Sequence, residues 1–245
     1  MPMETDMSTL IRLGALVVFC GGVLIAADRS KLDRNGKPPA TEIKGLALLF
    51  FDNFRADPAD RWEPSDPKAW KIDDQKGNRV YSQFQQSKVE TPVRSPFNRA
   101  LIKDLVVGDF VLDVKLQSTI NDYDHRDVCL FFGFQDPAHF YYVHFGKKAD
   151  DHANQVFIVN NEPRKKISTT STPGTPWTDG WHHARVVRNA DTGSIEVYFD
   201  DMEKPAMTAT DKTFTWGQVG VGTFDDTGNF DDVAVYGKKV ERPKD

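Results

Sequence analysis

Between Phe110 and Leu116 the side chains alternate with a period of two. Phe110, Leu112, Val114 and Leu116 fall on one side, and Asp113 and Lys115 fall on the other. Such a stretch can bury its apolar face only as an extended strand, because a helix would scatter these residues around its circumference. The pattern recurs along the chain. From Ala47 onward, short apolar or alternating runs are bounded by Gly, Pro, Asp and Asn, and none of twelve or more residues keeps a 3.6-residue period. The runs predict strands over 47–54, 70–73, 79–84, 110–118, 128–135 and 140–145. Further strands are expected over 155–160, 182–189, 194–200, 219–224 and 230–236. Asp191-Thr192-Gly193 is a hairpin turn signal between two of them. Many short strands, almost no helix and no fixed-period repeat predict an all-β, two-sheet antiparallel sandwich rather than a propeller or solenoid.

Length agrees, since sandwiches often exceed 200 residues as one domain and this chain has 245. At 39% hydrophobic and 11% aromatic it can fill a substantial core. Its net charge of −5, with cations scattered among the acids, lacks the basic footprint of a nucleic-acid binder. The N-terminus reads as a targeting segment. Arg12 precedes the apolar run Leu13 to Ala27, too short to span a bilayer comfortably but suited to a signal-peptide core. Ala27 fits the residue before cleavage, with Ile25 two positions earlier. Glu4 and Asp6 keep an uncleaved membrane anchor as the alternative. The expected organisation is residues 1–27 as signal peptide or anchor, 28–46 as flexible tether, 47–237 as the sandwich and 238–245 as a tail. The expected location is secreted or periplasmic, with membrane contact only through an uncleaved N-terminal segment. Loss of Cys20 with the leader leaves Cys129 alone in the apolar run Val128 to Phe132, where it is expected as a buried, inert thiol.

Trp181-His182-His183-Ala184-Arg185-Val186-Val187-Arg188, followed by Gly193 to Asp200, resembles the central hairpin of laminin-G-like jelly rolls. Val128 to Phe145 is similar to a hairpin of bacterial 3-keto-disaccharide hydrolase and family 16 glucanase-like domains, and Phe230 to Tyr236 to the last strand of the same concanavalin A-like superfamily. The resemblance spans roughly 47–237 and implies a jelly roll that handles carbohydrate. It also implies a structural calcium between the first and last strands, mapped onto Asp231 with Asp52 as companion. The laminarinase-type pair of catalytic carboxylates would need Glu-x-Asp-x-x-Glu on one strand face. That motif is absent here.

The residues suggest where a sugar would sit. In Phe140–Phe145, Tyr141, Val143 and Phe145 form the better core face, so Tyr142 and His144 are expected to project outward. Polar segments flank this hairpin: Asn121 to Asp127 on one side, Gly146 to Asn154 on the other. Aromatic faces stack on sugar rings, while Asp, Asn, His and Arg serve the hydroxyls. Expected ligand contacts are Arg94, His125, Asp127, Lys147, Asp150, His152 and Asn154. If the domain is an enzyme, a hydrolase or a lyase, His144 is the expected base, with Tyr142 and Arg126 beside it. A protein-interaction module is the third alternative. Trp181 is expected in the core, and most other tryptophans in packing roles.

Overall fold

A computed structural model describes residues 28–243. The leader or anchor expected over residues 1–27 lies outside the described residues, among which no helix is long and apolar enough to cross a membrane. In chain order the strands begin with β1 (Glu42–Ile43), β2 (Leu46–Asp52), β3 (Trp62–Pro64), β4 (Trp70–Gln75), β5 (Asn78–Gln83) and β6 (Asn98–Ser118). They continue with β7 (Cys129–Asp136), β8 (His139–His144), β9 (Gln155–Asn160), β10 (Lys165–Lys166) and β11 (Ser168–Ser171). The last are β12 (His182–Arg188), β13 (Ser194–Phe199), β14 (Met207–Thr210), β15 (Gly217–Thr223) and β16 (Gly228–Lys239). All pairings are antiparallel.

The long β6 belongs to both layers. Its first half pairs with β3 and β15, and β15 leads on through β7, β8 and β9 to β10. Its second half lies between β12 and β16, extending through β13, β14 and β11 on one side and β2 and β5 on the other. Phe110, Leu112, Val114 and Leu116 face the space between the layers, with Val128, Leu130 and Phe132, Tyr141, Val143 and Phe145, and Ala184 and Val186 around them. The alternation that marks β6 as a strand is therefore what fills the core. Burial of each such side chain is worth about 1.5–3 kcal/mol.

Four features differ from expectation. The first half of β6 was not anticipated, because Lys103 and Asp104 interrupt the alternation. The structure accommodates them in an irregularity, with Asp104 at φ 55 and the pairing to β15 shifting register between Gln218 and Gly220. Residues 28–46, expected as a tether, are held against the sandwich. Asn53 Nδ2 donates to the carbonyls of Arg29 and Leu32 at 2.7 Å, and the Arg34 N–H donates to the Asp232 carboxylate at 3.0 Å. Trp181 is not core but half-exposed, with the Arg34 guanidinium 4.0 Å above its ring. Lastly, the outer face of β7–β9 is not solvated. A second apolar cluster forms there from Leu101, Cys129, Phe131, Phe140, Tyr142 and Phe157, covered by Val93 and Phe224. Tyr142, expected to project into solvent, is fully buried as a result.

Candidate functional site

The strand order brings several chain turns to one end of this covered face. The β6–β7 connection supplies His125 and Asp127, and the end of β8 supplies His144. The β8–β9 loop adds Asp150 and His152, the β15–β16 turn Phe224 and Asp225, the segment before β6 Arg94, and the β9–β10 turn Arg164. Together they line a pocket of about 210 Å³. Six of the residues expected to meet a ligand or substrate therefore converge: Arg94, His125, Asp127, His144, Asp150 and His152. Arg164, Phe224 and Asp225 were not anticipated there.

The floor of the pocket is ordered by hydrogen bonds. Asp127 Oδ1 accepts the Phe224 N–H at 2.8 Å, and the Asp127 N–H donates to Asp226 Oδ2 at 2.7 Å. Tyr123 donates its hydroxyl to Asp226 Oδ1 at 2.6 Å. The loop wall is set by Asp150, whose Oδ1 accepts the His152 N–H at 2.6 Å and whose backbone carbonyl accepts Gln155 Nε2 at 3.0 Å. Arg164 donates its backbone N–H to the Arg94 carbonyl at 3.2 Å and lies 4.2 Å over the Phe224 ring. Burial, followed by the charge of Asp127, pushes the Asp226 carboxyl up to about 6. The same two causes raise Asp225. Four atoms in or beside the pocket are buried without a hydrogen-bond partner among the described residues: Asp127 Oδ2, Arg164 Nε and both His144 ring nitrogens. Such atoms cost about 1–3 kcal/mol each unless something else satisfies them.

The remaining expected residues do other work. Arg126 is buried and does not line the pocket. Its guanidinium donates to Ser118 Oγ at 3.0 Å, the Ser118 carbonyl at 3.1 Å and the Thr178 carbonyl at 2.9 Å. Lys147 pairs with Asp122 outside the pocket. Asn154 is fully buried, donating to the Thr172 carbonyl at 2.8 Å and accepting from Thr175 Oγ1 at 2.9 Å, so it pins its loop. Tyr142 stacks on Phe157 at 5.0 Å, and burial drives its phenol far above the usual range. The set His144, Tyr142 and Arg126 is thus not assembled around one space.

Nor do Asp52 and Asp231 fit the calcium implied by resemblance. Asp52 accepts from the Phe54 N–H at 2.7 Å, Trp62 Nε1 at 2.8 Å and Arg61 Nη1 at 3.0 Å. Asp231 accepts from Asn78 Nδ2 at 2.7 Å and the Asp232 N–H at 2.8 Å. Protein donors already engage both oxygens of each carboxylate. A larger cavity of about 550 Å³ lies elsewhere, lined by Trp62, Trp70, Tyr81 and prolines. Its aromatic walls are continuous with the core through the Trp70–Tyr81 contact at 4.6 Å.

These layers and this connectivity form an antiparallel two-layer jelly-roll sandwich. No protein family and no curated protein sequence matches the chain, but solved structures do. It is similar to the carbohydrate binding module CBM66 from Bacillus subtilis, with a TM-score of 0.50 and 17% identity, over 71% of this chain and 94% of that one. It is equally similar, at TM-score 0.50 and 12% identity, to a Bacillus subtilis protein of unknown function with a galectin-like fold, over 80% of this chain and 98% of that one. At such identities the likeness is one of fold.

Proposed function

We propose that this is an extracytoplasmic carbohydrate-binding domain that takes one sugar residue, at a chain end or branch, into the pocket at the end of β8. The observation that carries this is the convergence of Arg94, Asp127, His144 and Asp150 from four chain segments on one space, with buried polar atoms left unpaired. A sugar offers hydroxyls that donate and accept, and Phe224 offers the apolar surface for a ring face. At about 210 Å³ the pocket falls below the roughly 300–1,000 Å³ of drug-sized sites, which suits one ring rather than a polymer segment. The carbohydrate binding module CBM66, which shares the fold, supports the ligand class. The apolar leader and its removal on export remain part of this proposal.

Binding is favoured over cleavage because the Tyr142 hydroxyl is sealed beneath the pocket and Arg126 does not line it. A protein-docking face is not favoured. Among the described residues only Phe84, Tyr123 and Val240 are exposed large hydrophobics, too few for an apolar interface. The test is a glycan array probed with the protein and with Asp150→Ala and Arg94→Ala. Retention on glycans with one terminal sugar, lost in both variants, is the expected result. No retention on any glycan, or unchanged retention by the variants, would overturn the assignment. Assay of the same panel for reducing-sugar or unsaturated-uronate release distinguishes a catalyst from a binder.

A further inference from the structure

At the innermost point of the pocket His144 is only 5% exposed, and neither ring nitrogen has a partner among the described residues. A buried imidazole always carries at least one N–H, so an unmet donor and an unmet nitrogen lone pair there both call for an occupant. Asp127, 1% exposed, turns its unpartnered Oδ2 toward His144 Nε2 at 3.5 Å. That separation is long for a hydrogen bond. It equals the edge between two ligands on a tetrahedral zinc ion, about 3.4 Å for bonds of about 2.1 Å. Cys129 completes a group whose ligand atoms all lie within 4.8 Å of one another, and Asp127 also belongs to a second such group with Asp225 and Asp226. Asp226 is committed to Tyr123 and the Asp127 N–H, which leaves Asp225, lining the pocket, as the other carboxylate of that group. No lysine or arginine forms an ion pair with Asp127 among the described residues.

We infer that Asp127, His144 and Cys129 form a binding site for a zinc-like divalent cation, closed on the pocket side by Asp225 or water. A thiol, an imidazole and carboxylates together are the donors that favour zinc over calcium, which takes oxygen alone. As the Zn–S bond forms, Cys129 gives up its thiol proton to solvent, and His144 binds as the neutral imidazole. The site shares the pocket with the proposed sugar but needs no sugar to form.

The test is titration of the chelator-stripped, folded protein with Zn²⁺ by calorimetry, without any glycan present, followed by loading with Co²⁺. One equivalent of tight binding is expected, with a near-ultraviolet thiolate-to-cobalt band that disappears in Cys129→Ser. His144→Ala, or His144→Gln if the alanine variant does not fold, should lose more than the roughly 10–100-fold that loss of an outer partner costs. Asp127→Asn keeps the acceptor for the Phe224 N–H and should weaken binding while the protein stays folded. Absence of zinc uptake by the folded protein, undiminished uptake by both His144 and Asp127 variants, or a cobalt spectrum without the thiolate band would overturn the site. A blank glycan array would leave zinc binding standing, and absent zinc would leave sugar binding standing, so the two readings fail separately.

Discussion

Asp232→Asn should make this protein more stable at alkaline pH while changing little at acidic pH. Asp232 sits on β16 at 7% exposure, with fully buried Asp231 beside it. Burial, and then the charge of Asp231, pushes its carboxyl up to about 7 from an ordinary 3.8. The folded state therefore holds a proton that the unfolded chain releases. That stabilisation is complete below the ordinary carboxylate range and is lost as pH rises through about 7. Between about pH 5 and pH 8 the linkage relation, with relaxation around the charge, gives about 1–2 kcal/mol. Asparagine never ionises, so the variant escapes the loss. It also tolerates the left-handed backbone, φ 46, and its Oδ1 can still accept the Arg34 N–H. For a domain of this size, each kcal/mol moves Tm by about 2–4 °C. Thermal unfolding followed by circular dichroism should show the variant gaining about 2–8 °C in Tm on the wild type between pH 5 and pH 8. Parallel curves across that range, or a variant that melts lower at pH 8, would refute the reasoning.

Other substitutions test the separate roles assigned above. Tyr142→Phe removes a buried hydroxyl without a partner, so urea unfolding should show stability unchanged or higher by up to about 2 kcal/mol, with glycan retention intact. Arg126→Ala strands the Ser118 and Thr178 carbonyls and should cost about 2–4 kcal/mol. Protein that remains folded should keep its ligand, because the guanidinium is spent on Ser118 and Thr178 and does not line the pocket. Leu112→Ala, between the sheets and fully buried, should lower stability by about 2–5 kcal/mol in the same urea experiment.

The sandwich was legible because its strands alternate. Phe110 to Leu116 and Tyr141 to Phe145 each name their core face by period alone, and both face the core as read. What escaped was set by tertiary contacts. β3, Trp62–Pro64, is too short to show a period and exists because the first half of β6 offers it an edge. Period two could separate Tyr142 from Tyr141 but could not show that the second face would be covered as well, since the cover, Val93 and Phe224, comes from distant turns. The same limit applied to the pocket. The polar segments flanking the β7–β8 hairpin were visible as local runs, and four of their expected contacts, His125, Asp127, Asp150 and His152, do meet. Arg164 and Asp225 join only because β9–β10 and β15–β16 turn at the same end of the sheet. Asn154 and Arg126 carry the same chemistry in sequence, yet their bonds to Thr175 and Thr178 turn them into braces.

The covered face has a consequence for what the domain can hold. An open sheet face offers a long strip on which several sugar rings could lie in line. Here that strip is filled by Phe131, Phe140, Tyr142 and Phe157, and sealed where Arg164 lies over Phe224. Uncovering it would expose aromatic surface worth several kcal/mol to water, so a polymer cannot displace the cover cheaply. The cover stops at His144, the last residue of β8, where apolar packing gives way to unpaired nitrogen and oxygen atoms. A ligand must therefore enter end-on at the rim. Adding residues along a glycan beyond the first should change affinity little, whereas altering the terminal ring should change it strongly. Calorimetry on an oligosaccharide ladder would read this directly, and affinity that climbs with each added sugar would place the binding surface somewhere other than this pocket.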